Sequence, residues 1–216
     1  MLENNKNKII LDLCGGTGAW SKPYKDNGYM VINVTLPEYD VRTYKSPENV
    51  YGILAAPPCT HFSIARNDTT AKIKRDFRIG MEIVQACLNI IWECRYKKFR
   101  KSEDGLKFWA LENPKGYLID FLGKAPFEFD PCDFGDPYTK KTCIWGNFIF
   151  PVKHRVQPEK YGNSEQTFVK EVEHFFHLKK HQIPIDYQNK TGYSKRTIVR
   201  SITPQGFAKA FYEANQ

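Results

Sequence analysis

The sequence lacks a long hydrophobic run. Its first eight residues are mostly polar, and the largely apolar run that follows is only five residues long. A secretory signal needs a longer apolar stretch behind a basic start, and a membrane-spanning helix needs about 20 predominantly apolar residues. We therefore expect no signal peptide, no membrane segment and a cytoplasmic protein.

The six cysteines lack the paired spacing of a zinc ribbon or a small disulfide scaffold. They are spread along the chain at positions 14, 59, 87, 94, 132 and 143. In a reducing compartment such thiols stay free, so one of them can serve as a catalyst. Cys87 and Cys94 are seven residues apart in a predicted helix, and we interpret both as packing residues.

The chain has no internal repeat, and its 216 residues are too few for two equal domains. We predict a core over residues 1–150, a small basic lobe over 151–200, and a helix within 201–216 that returns to the core. The lobe carries ten lysines and arginines against five acidic residues, and the whole chain has a net charge of +8. This charge favours a polyanionic partner without identifying it.

Three histidines of the basic lobe, His174, His177 and His181, fall at helical spacing. They form a candidate zinc site, because imidazoles on one helix face can share a metal ion. We favour a basic helix that faces phosphate, and we predict no metal.

The start of the chain has the pattern of an α/β protein. Residues 8–13 form a predicted buried strand, residues 14–20 a glycine-rich turn, and a helix follows with Ser21 as its N-cap. A second strand over residues 29–34 completes a β-α-β unit, which predicts a parallel sheet. The turn is a candidate small-molecule site because glycines let the backbone approach a ligand, although glycines also serve plain turns.

A third predicted strand, over residues 51–55, ends in Pro57 and Pro58, and Cys59 follows at once. Proline cannot donate to a sheet and fixes its own φ, so the strand must stop here. A thiol on a stiff loop at the carboxyl end of a parallel strand lies where α/β sheets hold their ligands. We predict that Cys59 is a nucleophile; the alternative is a small buried apolar residue.

An amphipathic helix is predicted over residues 70–98, because apolar residues recur there at helical spacing. A fourth strand over 107–111 follows, with Glu112 at its carboxyl end. A carboxylate in that place costs free energy unless it is paired or takes part in the chemistry. Since Cys59 would end a strand of the same sheet, Glu112 is a candidate acid facing the nucleophile. The remaining predicted elements are strands over 127–129 and 142–145 and a last helix over 205–212.

In their order along the chain, these motifs resemble the DNA (cytosine-5) methyltransferase family, most of all its short, phage-type members. The motifs are Asp12-Leu13-Cys14-Gly15-Gly16-Thr17-Gly18, Pro57-Pro58-Cys59-Thr60-His61-Phe62-Ser63, Glu112-Asn113-Pro114 and a basic pair before a late strand. The resemblance covers residues 8–150 and the start of the last helix. It implies a Rossmann-like, class I S-adenosylmethionine-dependent methyltransferase sheet, with flanking helices and a small basic insertion, in a bacterium or phage-infected cell.

The resemblance also implies a role for each matching residue. Cys59 would add to C6 of a cytosine rotated out of DNA, and Glu112 would bind its N3 and exocyclic amine. Lys140 and Lys141 would support the base and its phosphate. Further substrate-binding positions would be Pro58, Ser63, Asn113 and Thr142. S-adenosylmethionine would be held by Asp12, Cys14, Gly15, Gly16, Thr17, Gly18, Trp20, Thr35, Asp40 and Pro57. The implied partner is DNA, and we expect a monomer.

Three positions depart from the family pattern. Thr35 takes the place of an acid that holds ribose, Cys14 that of an aromatic residue on adenine, and Gly52 that of an acid before the catalytic loop. The segment 151–200 is also far shorter than a usual target-recognition domain. Three alternatives therefore stay open: the same chemistry on a free cytidine nucleotide or RNA, transfer of a different group from a modified cofactor, and a non-catalytic DNA-binding relative.

Overall fold

The computed structural model describes residues 5–64, 74–96, 105–158 and 202–216. Most of the predicted basic lobe, including the histidines at 174, 177 and 181, lies outside the described residues. So do residues 70–73 and 97–98 of the predicted amphipathic helix.

One six-stranded sheet forms the centre of the fold. Its strands are β1 (Ile9–Leu13), β2 (Met30–Val34), β3 (Val50–Ala55), β4 (Phe108–Pro114), β5 (Phe127–Phe129) and β6 (Thr142–Asn147). They lie in the order β2-β1-β3-β4-β6-β5. The first four strands run parallel, and β6 is antiparallel to both of its neighbours. The predicted α/β, Rossmann-like fold is confirmed.

Helices cover both faces of this sheet. They are α1 (Lys22–Asp26), α2 (Phe77–Tyr96), α3 (Ile119–Leu122) and α4 (Gln205–Ala214). Successive strand residues point to opposite faces, so each parallel strand supplies two cores. Leu11 and Ile53 pack with α2 on one face, whereas Ile10 and Leu54 pack with α1 and α4 on the other. The last helix therefore returns to the core, as its sequence predicts.

Helix α2 begins later than the apolar spacing predicts. Residues 74–76 are not helical, and the carboxylate of Asp76 accepts hydrogen bonds from the N–H groups of Arg78 (2.8 Å) and Ile79 (3.2 Å). Asp76 thus satisfies donors that the first turn leaves unpaired, which starts the helix at Phe77. The predicted helical conformation of 74–76 is wrong because apolar periodicity does not detect a cap. Cys87 and Cys94 are buried in the α2 core, as predicted.

Strand β4 is longer than its sequence predicts. Its parallel pairing with β3 ends where Leu111 lies opposite Ala55. The strand continues to Pro114 because β6 pairs with it from the other side, with Glu112 opposite Ile144. Glu112 therefore lies inside a strand, not after one, at the level where β3 has already ended.

Candidate active site

The loops after β1 and β3 leave the sheet at a topological switch point. The strand β2 lies on one side of β1 and β3 on the other, so the strand order reverses between them. Open α/β sheets bind ligands outside the carboxyl ends of strands at such a point. The glycine-rich turn and the Pro57-Pro58-Cys59 segment begin there on adjacent strands, and the N–H of Ala56 donates to the carbonyl of Leu13 at 2.9 Å.

The glycine-rich turn curls tightly over the end of β1. Cys14, Gly16 and Gly18 all have positive φ, at 57°, 55° and 70°. At Gly15 a Cβ atom would lie 2.2 Å from Cγ of Asp12, so a side chain there would overlap the carboxyl group. Glycine is therefore needed in this turn for two reasons: Gly16 and Gly18 adopt a left-handed backbone conformation, and Gly15 leaves room for the side chain of Asp12.

The Asp12 carboxyl group lies beneath this turn and is fully buried. Its Oδ2 accepts a 2.5 Å hydrogen bond from the hydroxyl of Ser21. Burial raises the pKa of Asp12 to about 6, against the opposing effect of hydrogen bonds from Ser21. Ser21 stands at the N-cap of α1 as predicted, but its side chain bonds Asp12 and not the helix. The side chain of Asn33, next to Asp12 in the β1–β2 register, donates to the carbonyl of Gly16 at 3.0 Å.

Two other predicted cofactor positions have side chains engaged in the fold. The Trp20 ring is buried against Phe207 and Phe211 of α4, with ring centroids 5.8 and 5.4 Å away. Cys14 packs against the core cluster that includes Cys87 of α2, and the interaction with Cys14, together with burial, raises the pKa of the Cys87 thiol. The ring of Trp20 is therefore part of the core, and the thiol of Cys14 connects the turn to α2.

The loop after β2 carries the last predicted cofactor residues. Thr35 is half-buried directly after the strand. The carboxylate of Asp40 is bonded by the guanidinium and the backbone N–H of Arg42, which lowers its pKa. Arg42 also contacts Glu82 on α2 at 3.3 Å. Asp40 is thus held at the surface by a neighbour, with part of its acceptor capacity already used.

Cys59 begins a single 3-10 turn, Cys59–His61, directly after Pro58. The N–H groups of Phe62 and Ser63 both donate to the carbonyl of Cys59 at 2.9 Å. The Cys59 side chain is half-buried, so it is neither a core residue nor fully exposed. We call residues 59–63 the Cys59 turn.

Asn113 on β4 holds the start of this loop. Its side chain is fully buried, and its Nδ2 donates to the carbonyl of Pro57 at 2.9 Å. Its Oδ1 is buried and has no hydrogen-bond partner among the described residues. The amide predicted to bind substrate is therefore committed through its nitrogen to the segment that carries Cys59, while Pro58 is exposed beside it.

Two glycines let other elements approach the Cys59 turn closely. Gly116, after β4, forms a bridge with Ser63, and a Cβ there would lie 2.2 Å from the carbonyl oxygen of Phe62. Gly80 on α2 would meet the Phe62 ring at 2.8 Å. The N–H of Tyr117 donates to that same Phe62 carbonyl at 2.9 Å. The turn is therefore packed between α2 and the segment after β4.

The Glu112 carboxyl group lies one strand away from the Cys59 turn. Burial raises its pKa, and the positive charge of Lys140 opposes that rise. Lys141 is instead paired with Asp130 at 2.8 Å, and the hydroxyl of the buried Thr142 donates to the carbonyl of Lys140 at 2.7 Å. Of the two predicted lysines, Lys140 is the one whose charge acts on Glu112.

Sequence reasoning missed the residues that brace the Cys59 turn. An aspartate directly before an apolar helix is an N-cap signal, so Asp76 was detectable. The contacts of Arg75 and the clearance at Gly116 leave no local signal, because their partners lie 12 or more residues away and on other elements.

Two kinds of feature are absent from the part of the chain that the structure describes. Within residues 5–64, 74–96, 105–158 and 202–216, no group of three or more His, Cys, Asp or Glu side chains is arranged to hold a metal ion. Over the same ranges, every helix is too short or too polar to cross a membrane.

Comparisons with known proteins add little to this geometry. No family model and no curated protein matches the sequence. Among solved structures, the chain is similar to the Entamoeba histolytica methyltransferase EhMeth, with 12% identity and a TM-score of 0.38. The similarity covers 73% of this chain and 58% of that protein, and at this level it carries no argument about function.

Proposed function

We propose that the protein is an S-adenosylmethionine-dependent DNA cytosine-C5 methyltransferase related to the short, phage-type members of that family. One observation carries the proposal. The glycine-rich turn, the Cys59 turn and Glu112 belong to the adjacent strands β1, β3 and β4, and all lie toward the carboxyl edge of the parallel sheet. The bond from Asn113 to the carbonyl of Pro57 joins the strand of the acid to the loop of the nucleophile.

The residues around the glycine-rich turn fit S-adenosylmethionine by their chemistry. Three consecutive left-handed or glycine positions leave backbone groups uncovered by side chains, as a close ligand approach requires. The neighbouring loop after β2 offers the hydroxyl of Thr35 and the carboxylate of Asp40, which suit the polar groups of a nucleoside. Asp12 would act indirectly, by shaping the turn from below. When bound, S-adenosylmethionine would supply an electrophilic methyl group.

Cys59 and Glu112 would supply the remaining chemistry. Cytosine C5 is a weak nucleophile, so the Cys59 thiolate would first add to C6 and push electron density toward C5. Glu112 in its protonated form would donate to N3 and stabilise the adduct. Its raised pKa supports this role, because a raised pKa keeps more of the carboxyl protonated near neutral pH. Once C5 carries the methyl group, release of the C5 proton to solvent water and expulsion of Cys59 as a thiolate would restore the aromatic ring.

A labelling experiment tests the substrate class. The full chain is incubated with methyl-labelled S-adenosylmethionine and one of three acceptors: genomic DNA without cytosine methylation, total RNA, or dCMP. We expect label in DNA at C5 of cytosine, detected after nucleoside digestion. Label confined to RNA or to dCMP would exclude the DNA assignment, and no label in any acceptor would favour a non-catalytic binder.

Covalent capture tests the nucleophile. A kilobase-long amplicon made with 5-fluorocytosine offers many sequence contexts, which removes the need to know the target site. We expect an adduct that survives denaturation with the wild type and none with Cys59→Ser, while S-adenosylmethionine binding by Cys59→Ser stays within about twofold of the wild type, since the residue lies outside the glycine-rich turn. Cys132→Ser is the matched control, since Cys132 is a buried thiol in the turn before β6. Equal capture by Cys59→Ser would contradict the assignment.

A further inference from the structure

The segment directly before α2 contacts the backbone of the Cys59 turn. The guanidinium of Arg75 donates to the carbonyl of His61 at 2.8 Å and to the carbonyl of Ser63 at 3.3 Å through both of its terminal nitrogens. The carbonyl groups of His61 and Ser63 point away from the hydrogen bonds within the turn, so they need donors from outside it. Arg75 supplies them from a residue that follows the turn by more than ten positions.

Arg75 is itself fixed in place by aromatic rings. Its guanidinium lies 4.7 Å from the ring centroid of Tyr117 and 5.8 Å from that of Phe77. Phe77 in turn packs on Phe62, with centroids 6.2 Å apart. A planar guanidinium packed on aromatic rings keeps its donors in one direction, which a lysine ammonium cannot do.

A second bond joins the same two segments through a side chain of the turn. The backbone N–H of Asp76 donates to Nδ1 of His61 at 2.9 Å, and His61 is buried. Nδ1 must therefore be the unprotonated nitrogen of the ring. The carboxylate of Asp76 caps α2, so His61 ties the Cys59 turn to the beginning of a 20-residue helix.

We propose that Arg75 and His61 are positioning residues for Cys59: by joining the Cys59 turn to the start of α2, they hold the nucleophile in the orientation needed for attack. The proposal rests on the proposed function for its reaction, but the restraint on the turn is independent of the substrate. Neither residue is assigned a contact with the reacting atoms. Both act through the backbone of residues 59–63.

The test compares variants that differ only in the proposed contacts. Arg75→Lys keeps the charge and loses the planar pair of donors. His61→Leu removes the acceptor, whereas His61→Asn keeps an acceptor at similar reach. Arg78→Lys is the matched control, because Arg78 lies in the first turn of α2 with an exposed side chain and donates its backbone N–H to Asp76.

Two readouts are measured for each variant. The first is methyl transfer to unmethylated genomic DNA, with kcat and the KM for S-adenosylmethionine determined separately. We expect kcat to fall about tenfold to a hundredfold in Arg75→Lys and His61→Leu, with that KM within about twofold, because misplacement by roughly 1 Å has effects of this order. His61→Asn is expected to recover most of the lost kcat, and Arg78→Lys to match the wild type.

The second readout is the rate of Cys59 alkylation by iodoacetamide, followed by peptide mass spectrometry on protein whose circular dichroism matches the wild type. It needs no substrate, so it judges the restraint even if the wild type transfers no methyl group and the proposed function fails. We expect the rate to change at least about threefold in Arg75→Lys and His61→Leu and to return in His61→Asn. Unchanged alkylation and kcat in both variants would overturn the positioning role. So would a fall in kcat that His61→Asn does not relieve.

Discussion

The glycine-rich turn after β1 takes its shape largely from its own left-handed backbone, with one side-chain hydrogen bond from Asn33, whereas the Cys59 turn after β3 is held by hydrogen bonds from several other elements. In the first, positive φ angles and a buried carboxyl group beneath Gly15 set the path of the chain. In the second, residues 57–63 accept hydrogen bonds from four residues on other elements, which are Asn113, Arg75, Asp76 and Tyr117. Both turns lie at the same edge of one sheet.

The difference follows from what each turn is proposed to do. A turn that approaches a ligand with its backbone needs space, and glycine provides space without partners. A turn that carries a nucleophile needs its side chain held in one direction, and outside hydrogen bonds provide that restraint. Substitutions that fill space or remove a partner should therefore separate the two turns.

The largest effect is expected at Gly116. An alanine Cβ there would lie 2.2 Å from the carbonyl oxygen of Phe62. Because this oxygen belongs to the backbone, it cannot rotate out of the way as a side chain would. We expect Gly116→Ala to lose about 3–4 kcal/mol of unfolding free energy, from overpacking and from the weakened bond between Tyr117 and Phe62. Urea unfolding measures this loss.

Gly123→Ala is the control for that loss. Gly123 also follows β4 and has a φ of 76°, but nothing lies within 4 Å of its Cβ position. Because its ψ is −178°, an alanine there would occupy a backbone region that essentially only glycine adopts, so the cost should be backbone strain alone, about 2 kcal/mol. Equal losses in the two variants would mean that the approach of Gly116 to the Cys59 turn is not tight.

The pH dependence of stability tests the carboxyl group beneath the glycine-rich turn. Asp12 has a folded pKa raised from 3.8 to about 6, so the folded protein binds the proton more tightly than the unfolded chain. Stability from Asp12 is thus full below about pH 4 and is lost as the pH rises through 6, by about 3 kcal/mol. Asp12→Asn has no carboxyl group and should not show this loss. Between pH 4 and 7 its unfolding free energy should therefore rise relative to that of the wild type.

Ser21→Ala sharpens the same measurement. The hydrogen bond from the Ser21 hydroxyl lowers the pKa of Asp12, so its removal should extend the loss of stability to higher pH. If the unfolding free energies of wild type and Asp12→Asn change in parallel from pH 4 to 7, the carboxyl group is not held in the buried state described above.

A smaller effect is expected at Gly15. An alanine Cβ there would overlap Asp12, whose side chain Ser21 holds in place, and we expect a cost of about 2 kcal/mol. At Gly18 the nearest atom would be 3.5 Å away, so Gly18→Ala should cost only about 1 kcal/mol of backbone strain. The overlap at Gly15 should disappear in an Asp12→Ala background, which a double-mutant cycle detects as coupling. Strict additivity would contradict it.

The smallest effect concerns the lysines near Glu112. Because the charge of Lys140 opposes the raised pKa of Glu112, Lys140→Met should raise that pKa further. The alkaline limb of kcat/KM for methyl transfer should then move to higher pH, since more of the acid stays protonated. Lys141→Met should leave the limb in place, because Lys141 is paired with Asp130. A shift in the second variant and not in the first would reverse their assignment.

Much of the parallel sheet was predictable from local signals. The apolar runs, the glycines that end β1 and the two prolines that end β3 each act on their own segment of chain. The exceptions are informative. No local signal indicates that β4 extends to Pro114, because that extension depends on pairing with β6, or that the Trp20 ring belongs to a core shared with α4.

The sequence by itself determined where β1 and β3 end and where the backbone needs glycine, since each of these is a property of a few neighbouring residues. Only the tertiary structure decided which strands lie side by side, that Asn113 holds Pro57, and that Arg75 and His61 tie the Cys59 turn to α2. These contacts join residues between 12 and 56 positions apart. Their free energy is gained only when the sheet has already brought those segments together, so no local pattern in the sequence records them.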